Sequence, residues 1–185
     1  MLCENPNYAE RFRLLGQSYL AGQPASFDDL FGGAADEVAF EYRFFVEHVE
    51  QGYRLDLCRW DWTKKFRTPT GNGVSSRVEA AQGYQPSGSL VEAGQEYAYS
   101  ARGSWRTGVA AESNDADGRE DGGGRLEAVV LTDFALSAPF DLGRQGTFIA
   151  PASGQLYLRC RDAWGQLADN SGAVTVRTKP AAGAR

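Results

Sequence analysis

The chain has 185 residues, of which 42% are hydrophobic, 12% aromatic and 23% charged, the composition of a soluble globular protein with one or two folding units. Nineteen basic residues against 24 acidic ones leave a net charge of −5, so there is no source for broad electrostatic binding to a nucleic-acid backbone. No apolar run reaches the roughly 20 residues that span a bilayer. The first residues, MLCENPNYAERF, lack the basic start and apolar stretch of a signal peptide. A mature secreted protein would look the same; an extracytoplasmic or cell-surface location is the expectation, and the compartment itself stays open. Cys3, Cys58 and Cys160 are odd in number and widely spaced, which indicates neither a disulfide framework nor a CxxC metal site.

Residues 7–22 place Tyr8, Phe12, Leu15 and Tyr19 at steps of three and four, which predicts a helix ending at Gly22 and Pro24. Ser26 ahead of Phe27-Asp28-Asp29-Leu30 is a candidate cap for a second short helix. From Glu37 onward Val38, Phe40, Tyr42, Phe44 and Val46 alternate with other residues. After Gln51-Gly52 the alternation resumes at Tyr53, Leu55 and Leu57 and runs through Trp60 and Trp62. That period predicts a β-hairpin over about 37–66, with both tryptophans packing it against a partner layer. The polar stretch RTPTGNGVSS at 67–76 is the best boundary in the chain.

Beyond that boundary the texture is β, with short strands predicted near 77–81, 88–92, 95–102, 126–132, 146–150, 154–161 and 172–178. Seven short strands separated by Gly, Pro, Asn or Asp, with no long helix between them, predict an antiparallel β-sandwich or jelly roll and exclude a parallel α/β sheet. The expected organisation is an extension of helix plus hairpin over 1–75, a sandwich over 76–178 and a flexible tail over 179–185.

The segment Leu156–Val176, LYLRCRDAWGQLADNSGAVTV, carries the most chemistry. Asp162, Asp169 and Asn170 offer side-chain oxygens and Gln166 a backbone carbonyl, the hard donors that Ca2+ takes six to eight at a time. The alternative is that Asp and Asn merely turn the loop through their own backbone. Asp162, six intervening residues, then Asp169-Asn170-Ser171-Gly172 and a strand resembles the calcium and sugar loop of the PA-IL-like galactophilic lectins. Val91–Gly108 and Ala150–Leu156 resemble further parts of that family's pattern, so the resemblance covers about 77–178. It implies a jelly-roll β-sandwich in which one Ca2+ bridges protein and sugar. Asp162, Asp169 and Asn170 would ligate by side chain, and Gln166 and Thr107 by backbone carbonyl. Asp162 and Asn170 would also touch the sugar.

Asp169 stands where the family usually has Asn, which adds charge for the ion. The family's sugar-gripping His and Gln have no counterpart: the corresponding loop, Glu112–Asp121, is acidic, and the only histidine, His48, lies far outside it. Asn114 and Asp117 in that loop remain as groups able to hydrogen-bond hydroxyls. Asp115-x-Asp117-Gly118 suggests a second calcium turn, but Gly124 fills the slot of the EF-hand glutamate. Trp164 is a candidate for stacking on a sugar, and Trp105 a weaker one; each is otherwise a packing residue. No catalytic triad, G-x-S-x-G elbow or HExxH is present, so the reading is a non-catalytic one. Two functions stand: a calcium-dependent carbohydrate-binding module, or a structural subunit whose calcium staples the sandwich while residues 1–75 dock a protein partner or a second copy of the chain.

Overall fold

The computed structural model describes residues 1–181. Two antiparallel sheets stack face to face. One has strand order β1-β9-β3-β7, from β1 (Val74–Glu79), β9 (Ser171–Pro180), β3 (Glu96–Arg106) and β7 (Gln145–Ile149). The other runs β2-β8-β4-β5, from β2 (Gln85–Val91), β8 (Gly154–Cys160), β4 (Leu126–Thr132) and the two-residue β5 (Ala135–Leu136), with β6 (Phe140–Asp141) also paired to β4. Between the sheets lie Val78, Tyr97, Ala101, Trp105, Leu126, Val130, Leu156, Leu158, Val174 and Val176. The predicted β-sandwich is therefore the observed one, each predicted strand being present to within a few residues. The short β5 and β6 carry too few residues to show a period. The predicted tail begins too early, because Lys179 and Pro180 pair with Ala98 and Tyr97; residues 182–185 lie outside the described residues.

The predicted hairpin over 37–66 is absent. Residues Ala35–His48 form a helix, α3, that follows α1 (Ala9–Leu20) and α2 (Phe27–Phe31). A single helical turn, α4 (Leu55–Cys58), comes next, and Trp60 and Trp62 lie on irregular chain beyond it. The alternation of aromatics misleads here because Phe40, Phe44 and His48 are also spaced four apart, one helical turn each. Asp36 and Glu37 in the first turn and His48 in the last complement the helix dipole as well. Ser26 does cap α2, accepting from Asp29 N at 3.1 Å while Asp29 accepts from Ser26 N at 2.9 Å, a full capping box.

This helical region forms a third layer. β4 and β8 are buried on both faces: one face joins the sandwich core, and on the other Val129, Leu131 and Tyr157 pack with Phe40, Phe44, Trp60 and Tyr84. Glu41, buried on α3, fastens the layer. Its carboxylate accepts from Asn5 Nδ2 (2.6 Å), Asn7 Nδ2 (2.8 Å), Tyr8 Oη (2.8 Å) and Trp62 Nε1 (2.7 Å). Four neutral donors thus satisfy one buried acid and tie the N-terminal turn, α3 and the tryptophan segment together. Helix α1, in contrast, has no buried side chain.

Candidate functional site

The antiparallel register brings three connections to one end of the sandwich. Arg106 pairs with Ser171, Leu126 with Cys160 and Glu79 with Ala173. The loops 107–125, 161–170 and 80–84 therefore sit together, and they contain every residue of the predicted metal and sugar sets.

The 161–170 loop is a 3-10 turn, Trp164–Asp169, between two strands. Asp162 Oδ1 accepts from Ala163 N at 2.9 Å, so part of its carboxylate turns the loop, as the alternative reading held. Asp169 places Oδ2 3.7 Å from where a Cβ on Gly108 would stand, which sets its carboxylate beside Gly108. Asn170 is buried; its Nδ2 donates to Ala80 O at 3.3 Å, and its Oδ1 has no hydrogen-bond partner. Gln166 is exposed and its N–H closes the turn on Ala163 O. Gly172, the glycine of the motif, has φ +86°, and a Cβ there would stand 2.6 Å from Ser104 O, so only glycine lets β9 approach β3 at the site.

Thr107 and the acidic loop are organised by arginines. Thr107 Oγ1 accepts from the Arg119 guanidinium, which also pairs with Asp121 at 3.3 Å. Asp117 Oδ1 accepts from Arg144 N at 2.7 Å, and Asp115 faces the Arg144 side chain at 3.6 Å. Arg125 and Arg161 both reach Asp141. Much of the acidity that had suggested cation binding in this loop is thus neutralised internally, leaving the proposed second calcium turn tied to Arg144. Asp162 and Asp169 form no ion pair among the described residues. Asn114 gives its Nδ2 to Asp115 O and Gly124 O, and its Oδ1 is buried without a partner.

Neither tryptophan opens onto this loop cluster as a stacking platform. Trp105 is fully buried in the sandwich core and donates Nε1 to Gly124 O at 2.7 Å. Trp164 turns to the helical layer, edge-on to Phe44 (5.1 Å) and His48 (5.0 Å), with the Arg159 guanidinium 3.9 Å from its ring centre. The reason is local: Gly165 N donates to Glu50 Oε1 at 2.6 Å, and Gly52 and Gly165 touch backbone to backbone, so the end of α3 clamps this loop and draws Trp164 under it.

Beneath the loop Glu127 holds a buried ionic network. It pairs with Arg159 at 2.7 Å and Arg161 at 2.9 Å and accepts from Tyr84 Oη at 2.7 Å. Burial acts to raise the Glu127 pKa, but the Arg159 charge and these hydrogen bonds outweigh it and hold the carboxyl below its ordinary value. The sequence shows the participants as the alternation Arg159-Cys160-Arg161, two like-facing cations on a strand, but not the partner on β4.

The donor set fits calcium in kind: two carboxylates without ion pairs, one buried amide oxygen without a partner and nearby backbone carbonyls. Among the described residues no three His, Cys, Asp or Glu side chains converge; the proposed set contains two such residues and relies on amide and carbonyl oxygens for the rest. No family model matches the sequence, and no curated protein matches it. A solved structure titled "EclA N-terminal domain; PllA-like lectin" is similar over 60% of this chain and 99% of that chain, at 23% identity and a TM-score of 0.48. A likeness at that level speaks to neither ligand nor metal.

Proposed function

We propose that the protein is a non-catalytic, calcium-dependent carbohydrate-binding module whose site is the loop end of the sandwich. The observation that carries the reading is Asn170. A buried amide oxygen without a partner costs free energy unless something accepts its lone pairs, and it lies on one short loop with two acids that form no ion pair among the described residues. Asp162, Asp169 and Asn170 would hold the ion, with backbone carbonyls at Thr107 and Gln166. The ion would offer open coordination positions to vicinal sugar hydroxyls, with Asp162, Asn170 and the Asn114 amide as hydrogen-bonding groups. Asp117 contributes less, because Arg144 N already occupies its Oδ1. A calcium titration followed by thermal unfolding tests the metal: an ion that binds only the folded state must raise the melting temperature. Asp169→Ala removes most of that shift if the reading holds, and an unchanged shift rejects the site.

A second reading is favoured by one specific observation. Helix α1 buries nothing, and Phe12, Tyr19, Leu20 and Phe27 stand exposed around it. This is the kind of apolar surface that a protein partner or a second copy of the chain covers, and calcium would then serve only to fix the loop. Calcium-dependent stabilisation with no glycan retained on an array is the result that would select this reading.

A further inference from the structure

The end of the sandwich opposite the loop cluster holds a groove of about 660 Å³. The register defines it: Val91 pairs with Gly154, and Leu131 with Gln155, so the close of β2 and β4 and the start of β8 form its floor. The helical layer supplies a wall through Glu37 of α3 and Trp62, and the β4–β5 hairpin supplies another through Asp133 and Phe134. Neither the sandwich nor the extension forms this groove alone.

Its chemistry is one-sided. Three carboxylates line it, Glu37, Glu92 and Asp133, with no Lys or Arg among the lining residues, and none of the three is in an ion pair among the described residues. Arg11 acts on Glu37 only through its field, and the Arg43 guanidinium donates to Phe134 O at 2.6 Å rather than to any of the three carboxylates. Thr132 spends its hydroxyl hydrogen on Ser153 O, while Ser153 Oγ accepts from Ala93 N and keeps its own hydrogen to donate. The lining therefore has a surplus of acceptors beside two aromatic rings, Trp62 and Phe134, whose centres lie 5.8 Å apart. Such a surface suits a ligand that is rich in donors, positively charged and equipped with a flat apolar face. Phe134 is also held at φ +57°, a conformation that a bulky residue adopts only when its surroundings enforce it. Contacts with Phe40 and Trp62 and the bond from Arg43 do so, fixing the ring at the groove.

We propose that this groove binds an amino sugar through its free, protonated amine. An ammonium group meets one of the three separate carboxylates, Glu37, Glu92 or Asp133, hydroxyls meet Gln155 and the remaining carboxylate oxygens, and a ring face lies on Trp62 or Phe134. No metal is involved, so this site and the calcium site stand or fall separately.

The test is calorimetry on the full chain in the presence of chelator, with the glucosamine trimer and its fully N-acetylated counterpart as probes. The free-amine trimer binds, the acetylated one binds at least about tenfold more weakly, and added salt weakens the binding. The double substitution Glu92→Gln and Asp133→Asn reduces affinity by roughly tenfold or more. Both side chains are exposed and Asn tolerates the left-handed backbone at 133, so folding is preserved, which far-UV circular dichroism checks. Equal affinity for the two trimers, undiminished binding by the double variant, or no heat with the free-amine trimer at millimolar concentration overturns the proposal.

Discussion

Glu127 shows how much of this molecule turns on single buried charges. Its lowered pKa means that the carboxylate gains stability on folding, fully present above the ordinary value of 4.5 and lost as pH falls through the lower folded value. Thermal unfolding should therefore show a loss of stability on acidification below about pH 4.5 that is smaller in Glu127→Gln. At neutral pH that variant strands Arg159, which already has one buried nitrogen without a partner, and should cost about 3 kcal/mol or more, read by urea denaturation. The cysteines give an independent check on burial. Desolvation pushes Cys58 up to about 11 and Cys160 up to about 12, while Cys3 is exposed. Native protein should take up one equivalent of iodoacetamide quickly and three only after denaturation, as counted by mass spectrometry.

At the scale of elements, the strands were legible because each buries one or both faces in a regular alternation between turn residues. The strands Leu126–Thr132 and Gly154–Cys160 read as 126–132 and 154–161 on sequence alone, although nothing in them disclosed that their second face meets a helix. Helix α3 was misread because its aromatics occupy positions compatible with both periods, and only the layer it covers decides between them. The site was legible in part for a related reason. The spacing from Asp162 to Gly172 is local and visible, whereas Arg144, which faces Asp115 and Asp117, and Arg125, which donates to Asp117 O, meet the acidic loop only in three dimensions. Trp164 was expected at a sugar and stands instead under α3, pulled there by the Gly52–Gly165 contact. Two substitutions test these assignments by chemical denaturation. Phe44→Ala, which removes a ring touching Trp60, Tyr84 and Trp164, should cost about 3 kcal/mol or more. Gly172→Ala forces a Cβ against Ser104 O in a left-handed conformation and should cost about 2 kcal/mol.

For the molecule as a whole, the N-terminal third is a structural layer. It covers Val129, Leu131 and Tyr157, clamps the 161–170 loop through Glu50 and Gly165, and supplies a wall of the acidic groove. A chain beginning at residue 73 would expose that apolar face and lose the clamp, so it should aggregate or unfold at a lower temperature than the full chain, as size-exclusion chromatography and calorimetry would show. The central claim is that the opposite, loop-rich end binds sugar through calcium. It is tested most directly by a glycan array probed with the full chain and with Asp169→Ala, each with calcium and with chelator. The account predicts neutral saccharides, those without a free amine, retained by the full chain in calcium, released by chelator and not retained by the variant; a neutral saccharide that stays bound through both chelation and the substitution would contradict it.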